Sequence, residues 1–306
     1  MTRSDDDSWD LATSVGTTAT VVAAQRAVAA RNSLIDDPYA EPLVRAVNAD
    51  AVTRLLDGGT HQEVGTFTVQ QAAEAMAVRT RFYDELFTRA ATAGVRQAVI
   101  LASGLDTRAY RLPWPAGTVV YELDQPAVIE FKSKTLADLA VRPTAERRAI
   151  GIDLREDWPK ALLANGFDPS KPAAWIAEGL TIYLPPEAQD QLFASITRLS
   201  APGSHVATEY VPDAAVFTDN RSERVLEGYR RSGLDTELSD LVYAGRRSDV
   251  LEFLTARGWD MSSQTLEEAY AAHGFELPDN DMFAAFAEAR IVTGILSQSV
   301  GDQRRV

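Results

Sequence analysis

Gly104 and Asp124 pose the first chemical question. Gly104 lies in the stretch LASGLDTRAY, directly after the apolar run Val99-Ile100-Leu101, and Asp124 follows 20 positions later in YELDQ. An apolar strand running into a small-residue turn, with an acid at about that distance, is how nucleotide-binding α/β folds hold a ribose: the turn lets the ligand approach the backbone, and the carboxylate accepts from the diol. Two more acids repeat the pattern, Asp153 in IDLRED and Glu178 in AWIAEGL, each just past another apolar run. One acid at a strand end often does no more than cap the following helix. Successive run ends that all finish in a small turn or a carboxylate favour a shared pocket. Such a row of acceptors suits a ligand rich in hydroxyls and amines and poor in phosphate.

The first loop separates two kinds of ligand. A dinucleotide pyrophosphate needs the G-x-G-x-x-G turn, whose glycines let backbone N–H groups reach the phosphates. Here those positions read Ala102, Gly104 and Thr107, and Asp106 adds a negative charge. A carboxylate beside a diphosphate is electrostatically costly. S-adenosylmethionine carries no phosphate, and its sulfonium and ammonium groups tolerate nearby carboxylates. The loop fits that methyl donor better than a nicotinamide cofactor, so an oxidoreductase is the rival enzyme class. A non-catalytic cofactor-binding protein is the rival outside enzymology.

The rest of the chain must position these residues. It has 306 residues, 45% of them hydrophobic, enough for one large core with or without a smaller cap. A formal net charge of −14 repels nucleic-acid phosphates and anionic lipid, so neither is an expected partner; a small-molecule substrate is. There is no cysteine, and the three histidines, His61, His205 and His273, lack metal-ligand spacing, so no metal site is expected. The opening MTRSDDDSWD is polar and acidic rather than a signal peptide, and no apolar stretch approaches the ~20 residues of a membrane span. These features predict a soluble, cytoplasmic protein.

Residues 1–10 read as a loosely held tail. Helices are predicted over Ser14–Ala30, from Asp36-Asp37-Pro38 to about Asp57, and over Val69–Ala90, with Gly58-Gly59 a turn and Gly94 a terminator. Apolar, β-rich runs then alternate with helical patterns: Gln97–Leu101, Thr118–Leu123, Arg148–Ile152, Ala173–Ala177 and Gly203–Tyr210, with Pro126–Ala140 and Pro186–Ser200 among the intervening helices. Near-continuous apolar strands alternating with helices predict a parallel sheet covered on both faces. Residues 212–247 are polar, arginine-rich and helical in pattern, and Ser248–Arg257 reads as a helix. Two last strands are predicted near Trp259–Thr265 and Ala289–Leu296.

The blocks LASGLDTRAYRL, YELDQPAVIEFK, IDLREDW and AWIAEGLTIYL, in that order, resemble the leucine carboxyl methyltransferase-like family. Within it they are most similar to the actinobacterial branch of S-adenosylmethionine-dependent methyltransferases, which includes polyketide carboxyl O-methyltransferases. WDLATSVGTTAT and DLVYAGRRSDVLEFLTARGW extend the resemblance over nearly the whole chain. It implies an α/β class I methyltransferase (Rossmann-like) fold: a mostly parallel seven-stranded sheet with helices on both faces, plus a helical cap. Residues 1–92 would be a helical region contributing to cap and cofactor site, 93–211 and 248–306 the core, and 212–247 the cap insertion. The resemblance places Ala102, Ser103 and Gly104 against the methionine part of S-adenosylmethionine. Asp124, with Gln125 beside it, falls on the ribose, Asp153 and Leu154 on the adenine, and Glu178 also on the cofactor. Arg79, in the V-R-T-R block, would pair with the methionine carboxylate, and Arg26 would be a second basic contact. The family's commonest loop begins Gly-Ala-Gly, so Ala102 is a departure that narrows the turn.

No side chain is assigned as catalytic base. A carboxylate acceptor needs none, whereas a hydroxyl benefits from one. His205 lies inside a strand pattern and reads as packing; His61 and His273, near glycine-containing turns, read as surface. Arg81 reads as surface or structural, and Asp106 and Arg108 as fixing the turn. Arg221, Arg224, Arg230, Arg231, Arg246 and Arg247 in or beside the cap are candidates for orienting an anionic acceptor, balanced against Glu223, Glu227 and Asp240. Tyr183, Tyr210 and Phe217 are candidate pocket or core residues.

Overall fold

The computed structural model describes residues 15–58, 63–64, 67–212, 242–243, 245–280, 283–284 and 286–297. The 1–10 tail, His61, Phe217 and the cap arginines Arg221, Arg224, Arg230 and Arg231 lie outside the described residues, as does most of the expected cap. Seven strands form the central sheet: β1 (Gln97–Leu101), β2 (Val119–Asp124), β3 (Glu146–Gly151), β4 (Ala173–Ala177), β5 (His205–Tyr210), β6 (Trp259–Thr265) and β7 (Arg290–Leu296). Their order is β3-β2-β1-β4-β5-β7-β6, with β1 to β5 parallel and β7 antiparallel to both its neighbours.

Helices cover both faces, and strand alternation divides the core between them. Ala98, Ile100, Val120, Ala174, Ile176 and Ala207 face α1 (Val15–Arg31), α2 (Ala40–Val47), α3 (Asp50–Asp57), α4 (Val69–Thr92) and α6 (Pro126–Asp138). Val99, Leu101, Tyr121, Leu123, Trp175, Ala177 and Val206 face α7 (Trp158–Ala164), α8 (Pro186–Arg198) and α9 (Val250–Thr255). A strand buried on both sides has no solvent face to leave polar, which is why β4 and, after Gln97, β1 read as unbroken apolar runs. Among the described residues there are also α5 (Arg108–Arg111), in the turn after β1, α10 (Leu266–Ala272) and a short 3-10 turn, Thr181–Tyr183.

Register brings the site residues level. Ile100 pairs with Glu122 and Ile176, Leu101 with Leu123, and Asp124 with Gly151, so β1 to β4 finish side by side at one rim. The longest helix, α4, opens with a capping box in which the Thr68 hydroxyl accepts from the Gln71 N–H while the Gln71 side chain accepts from the Thr68 N–H. That start fixes where Arg79, Arg81 and Asp84 emerge.

One expected helix differs. The stretch from Asp36 to Asp57 is two helices, because Asn48 closes α2 in the left-handed region at φ 58°, its N–H on the Arg45 carbonyl. Asp37 begins the pair, its Oδ1 accepting from the N–H groups of Tyr39 and Ala40. The two-residue ladder Glu63–Val64 with Phe67–Thr68, and helices α5, α7 and α10, were not anticipated from sequence.

A buried charge cluster ties the core to the first loop. Glu122 and Lys132 are both fully buried, and Glu122 Oε2 lies 2.9 Å from Lys132 Nζ and 2.7 Å from Arg147 Nη2. Lys132 also donates to Ser103 Oγ at 3.3 Å and to the Asp106 carbonyl at 3.1 Å. Removing one member of a buried pair leaves an uncompensated charge at a cost of about 3–5 kcal/mol. Glu122→Gln strands two cations and is expected to lose stability in that range. Lys132→Met leaves Glu122 paired with Arg147 and should lose less. Urea unfolding of both variants checks the order; a larger loss for Lys132→Met would contradict it.

Candidate functional site

A cavity of about 940 Å³ opens at the rim where the strands end. Arg26, Arg79, Ala102, Ser103, Gly104, Asp124, Gln125, Asp153, Leu154 and Glu178 all line it, so residues spread across 153 positions of sequence reach one space. This volume lies at the upper end of the range for small-molecule sites, about 300–1,000 Å³. Helices α1 and α4 close one side, through Ala19, Val22, Ala23, Arg26, Met76 and Arg79.

The turn after β1 is held by its own backbone and by Asp124. The Ser103 N–H donates to the Leu123 carbonyl at 3.0 Å, and the Asp106 N–H donates to the Ser103 carbonyl at 2.8 Å. Ala102 adopts φ 50° and Gly104 φ 45°. The left-handed region costs a residue with a Cβ about 1–2 kcal/mol. Ala102 therefore carries strain that a glycine would not, besides narrowing the turn. A Cβ on Gly104 would meet only Ala19 Cβ, at 3.7 Å. The Gly104 N–H donates to Asp124 Oδ2 at 2.6 Å and the Gln125 N–H to Asp124 Oδ1 at 2.7 Å. Burial pushes the Asp124 carboxyl above the ordinary aspartate value, against the pull of those N–H donors and Lys132.

The other charged residues are tied to one another. Asp153 pairs with Arg155 at 2.6 Å and is held below its ordinary value: burial raises it, and the Arg155 and Gln125 hydrogen bonds outweigh burial. Glu178 reaches Arg79 Nε at 3.1 Å through Oε1 and Arg108 Nη1 at 2.7 Å through Oε2. Arg79 Nε lies 2.7 Å from Glu209 Oε1. Arg26 pairs with Asp37 at 2.7 Å and donates to the Leu105 carbonyl, fastening α1 to the turn. Arg108, 1% exposed, contacts Asp84 at 2.7 Å and Asp106 as well as Glu178. Turn fixing was expected of Asp106 and Arg108. The structure adds that Arg108 also joins α4 to the end of β4.

Several other expectations can be placed. Arg81 donates to the carbonyls of Leu34 and His273, a structural role. His273 is not a surface residue: its side chain is 8% exposed, with Nδ1 3.7 Å from Glu85. His205 is buried in β5, where desolvation and, after it, Arg89 lower its pKa, in line with the packing role expected of it. Tyr183 lines the cavity, whereas Tyr210 is buried without lining it. Arg247 is buried and donates to the carbonyls of Ile182 and Tyr243, and Arg246 is exposed; neither lines the cavity.

Two residues at the site escaped the sequence reading. Glu209 lines the cavity from β5, and Lys132 supports the turn from beneath. Carrying the strand-end argument to the fifth strand would have found Glu209. Lys132 stands between Val128 and Leu136 on the apolar stripe of α6, a placement that flags a buried lysine.

Asp106 provides a pH signature. Burial raises its pKa, but Arg108, Arg26 and Lys132 outweigh burial and hold it at about 2. A folded value below the ordinary one of about 3.9 means that its contribution is complete above that value and is lost as pH falls toward 2. Unfolding free energy should therefore drop over that interval by about 2 kcal/mol from this group. In Asp106→Asn, otherwise less stable, that part of the acid limb should disappear. An unchanged limb would show that Asp106 is not held low.

The strand order, the turn after β1 and the acid ending β2 define the class I methyltransferase fold. The chain belongs to the leucine carboxyl methyltransferase family, whose sequence model matches residues 19–197. It is 56% identical over 296 residues to a Mycobacterium avium protein named "Putative S-adenosyl-L-methionine-dependent methyltransferase", covering 97% of this chain and 99% of that one. A Mycobacterium marinum protein of the same name is 56% identical over 301 residues, covering 97% and 100%. Among solved structures, a DUF574 family protein from Streptomyces avermitilis superposes with a TM-score of 0.52 at 16% identity, covering 81% of this chain and 91% of that one.

Proposed function

We propose that this protein transfers the methyl group of S-adenosylmethionine to an oxygen, a carboxylate or hydroxyl, of a small molecule held in the same cavity. The observation that carries this reading is one cavity lined both by a turn that lacks the pyrophosphate-binding glycine pattern and is held by Asp124, and by a set of apolar side chains. The residues fit the donor. The Gly104 turn is bare enough for close approach, and Asp124 is already oriented by two N–H donors with lone pairs left for a diol. Ile152 and Leu154 offer apolar flanks for a purine, with Asp153 beside them to accept from its amine. Arg79 is the cation for the amino-acid carboxylate. Arg26, engaged by Asp37 and Leu105, contributes by anchoring the turn.

Bound there, the donor supplies an electrophilic methyl on a sulfonium with a neutral leaving group. The protein then has to align the acceptor and exclude water. The wall formed by Leu180, Ile182, Tyr183, Val211, Phe283, Phe286 and Ile291 suits an acceptor with a large apolar surface. No histidine is among its described lining residues. Residues 212–247 remain the proposed cap over this space.

Calorimetry compares the two cofactor classes directly. S-adenosylmethionine should bind and NAD should give no heat; tight NAD binding without a response to the methyl donor would overturn the reading. Asp124→Asn should weaken donor binding about tenfold or more, as expected for losing a charge-assisted hydrogen bond. Because the Asp124 carboxyl titrates above its ordinary value, donor affinity should begin to fall with acidity above about pH 3.9, and Asp124→Asn should lack that fall.

A further inference from the structure

Arg79 has a difficulty as a carboxylate ligand: the protein has already placed two carboxylates on it. Glu178 and Glu209 both make their closest contact at Nε, at 3.1 and 2.7 Å. A guanidinium has a second usable edge, the Nη1–Nη2 fork, which matches a carboxylate in two parallel hydrogen bonds. Neither contact has hydrogen-bond geometry at Nε, so the two acids hold the cation as ion pairs, each closest at Nε rather than at the fork. The two acids do not share the task equally. Glu178 also neutralises Arg108 through Oε2. Glu209 spends its other oxygen, Oε2, on the Gly179 N–H at 2.9 Å.

Gly179 completes the seat. It adopts φ 61°, and a Cβ built on it would lie 2.7 Å from Arg79 Nη2, so the guanidinium rests against a turn that must stay bare. Arg79, Gly179 and Glu209 come from α4, the end of β4 and β5, and all three line the cavity. Glu209 thus fastens the turn to β5 and Arg79 to the turn.

We propose that Glu209 is a positioning residue for the methyl donor: it holds Arg79 against Gly179 so that the fork meets the donor's carboxylate, without touching the donor itself. The inference rests on the reading that this cavity binds S-adenosylmethionine. It predicts that Glu209 matters only to ligands that carry the carboxylate.

Three probes separate the alternatives in direct binding measurements on the full chain. S-adenosylhomocysteine has the amine and the carboxylate, its decarboxylated analogue has the amine alone, and 5′-methylthioadenosine has neither. Glu209→Gln should weaken S-adenosylhomocysteine by about tenfold or more, the size expected for misplacing a charge-assisted pair, and leave the other two within about twofold. Gly179→Ala, which displaces Arg79 while keeping every charge, should give the same pattern. In an Arg79→Ala background, Glu209→Gln should cost nothing further. Equal losses for all three probes would mean a merely structural role and would overturn the proposal. So would a loss shared by the decarboxylated analogue, which would mean direct contact with the ammonium, or no loss at all. Failure of the unaltered protein to bind any of the three would instead remove the methyl-donor reading and this proposal with it.

Discussion

The structure depends on keeping Arg108 neutralised. Its guanidinium is buried, and an unpaired cation there would cost several kcal/mol. Compensation comes from Asp84 on α4, Asp106 in the turn after β1 and Glu178 beyond β4. Those three elements must therefore meet at one point, and two of its members, Asp106 and Glu178, line the cavity. Glu178 passes the constraint to Arg79, and Arg79 passes it to Glu209 on β5. Four separate stretches of chain are located by one chain of charge.

The same chain of charge sets the character of the site. The carboxylates of Asp37, Asp84, Asp106, Glu178 and Glu209 face the guanidiniums of Arg26, Arg79, Arg108 and Arg111, and Lys132 also acts on Asp106. A diphosphate in the cavity would meet the carboxylates of Asp106, Glu178 and Glu209, at an electrostatic cost. The acid inside the first turn, which made LASGLDTRAY look like a poor phosphate loop, is the partner of Arg108. It belongs to the scaffold before it belongs to any ligand, which is why turn chemistry and framework chemistry cannot be separated here.

How much was legible in the sequence follows from the range of the forces involved. β1 and β4 were readable to the residue because burial on both faces demands an unbroken apolar run of strand length. Eight of the ten proposed contacts reached one cavity because parallel strands in register deliver their ends to one rim, and helices α1 and α4 brought Arg26 and Arg79 to it. Asn48 was not readable: its left-handed conformation is a backbone choice that the helical pattern around it does not encode. The surroundings of His273 depend on Glu85 and Arg81, nearly 200 residues upstream, and its glycine-rich neighbourhood gave the opposite impression. Glu209 was missed because Tyr210 and Val211 continue the apolar pattern beyond it, hiding an acid that points to the rim from inside the strand.

The cavity's two halves make different demands. On the proposed donor side Arg79, Glu178 and Glu209 are held by partners on other elements, at the cost of strain at Ala102 and a bare turn at Gly179. Among the described residues the far wall is largely aliphatic and aromatic. Displacement at a sulfonium rewards this asymmetry, since a neutral thioether leaves without protonation and an ionised acceptor attacks without a base. What remains is direction and the exclusion of water. On the proposed reading, a polar cradle would fix where the methyl points, and an apolar wall would admit different acceptors without disturbing it.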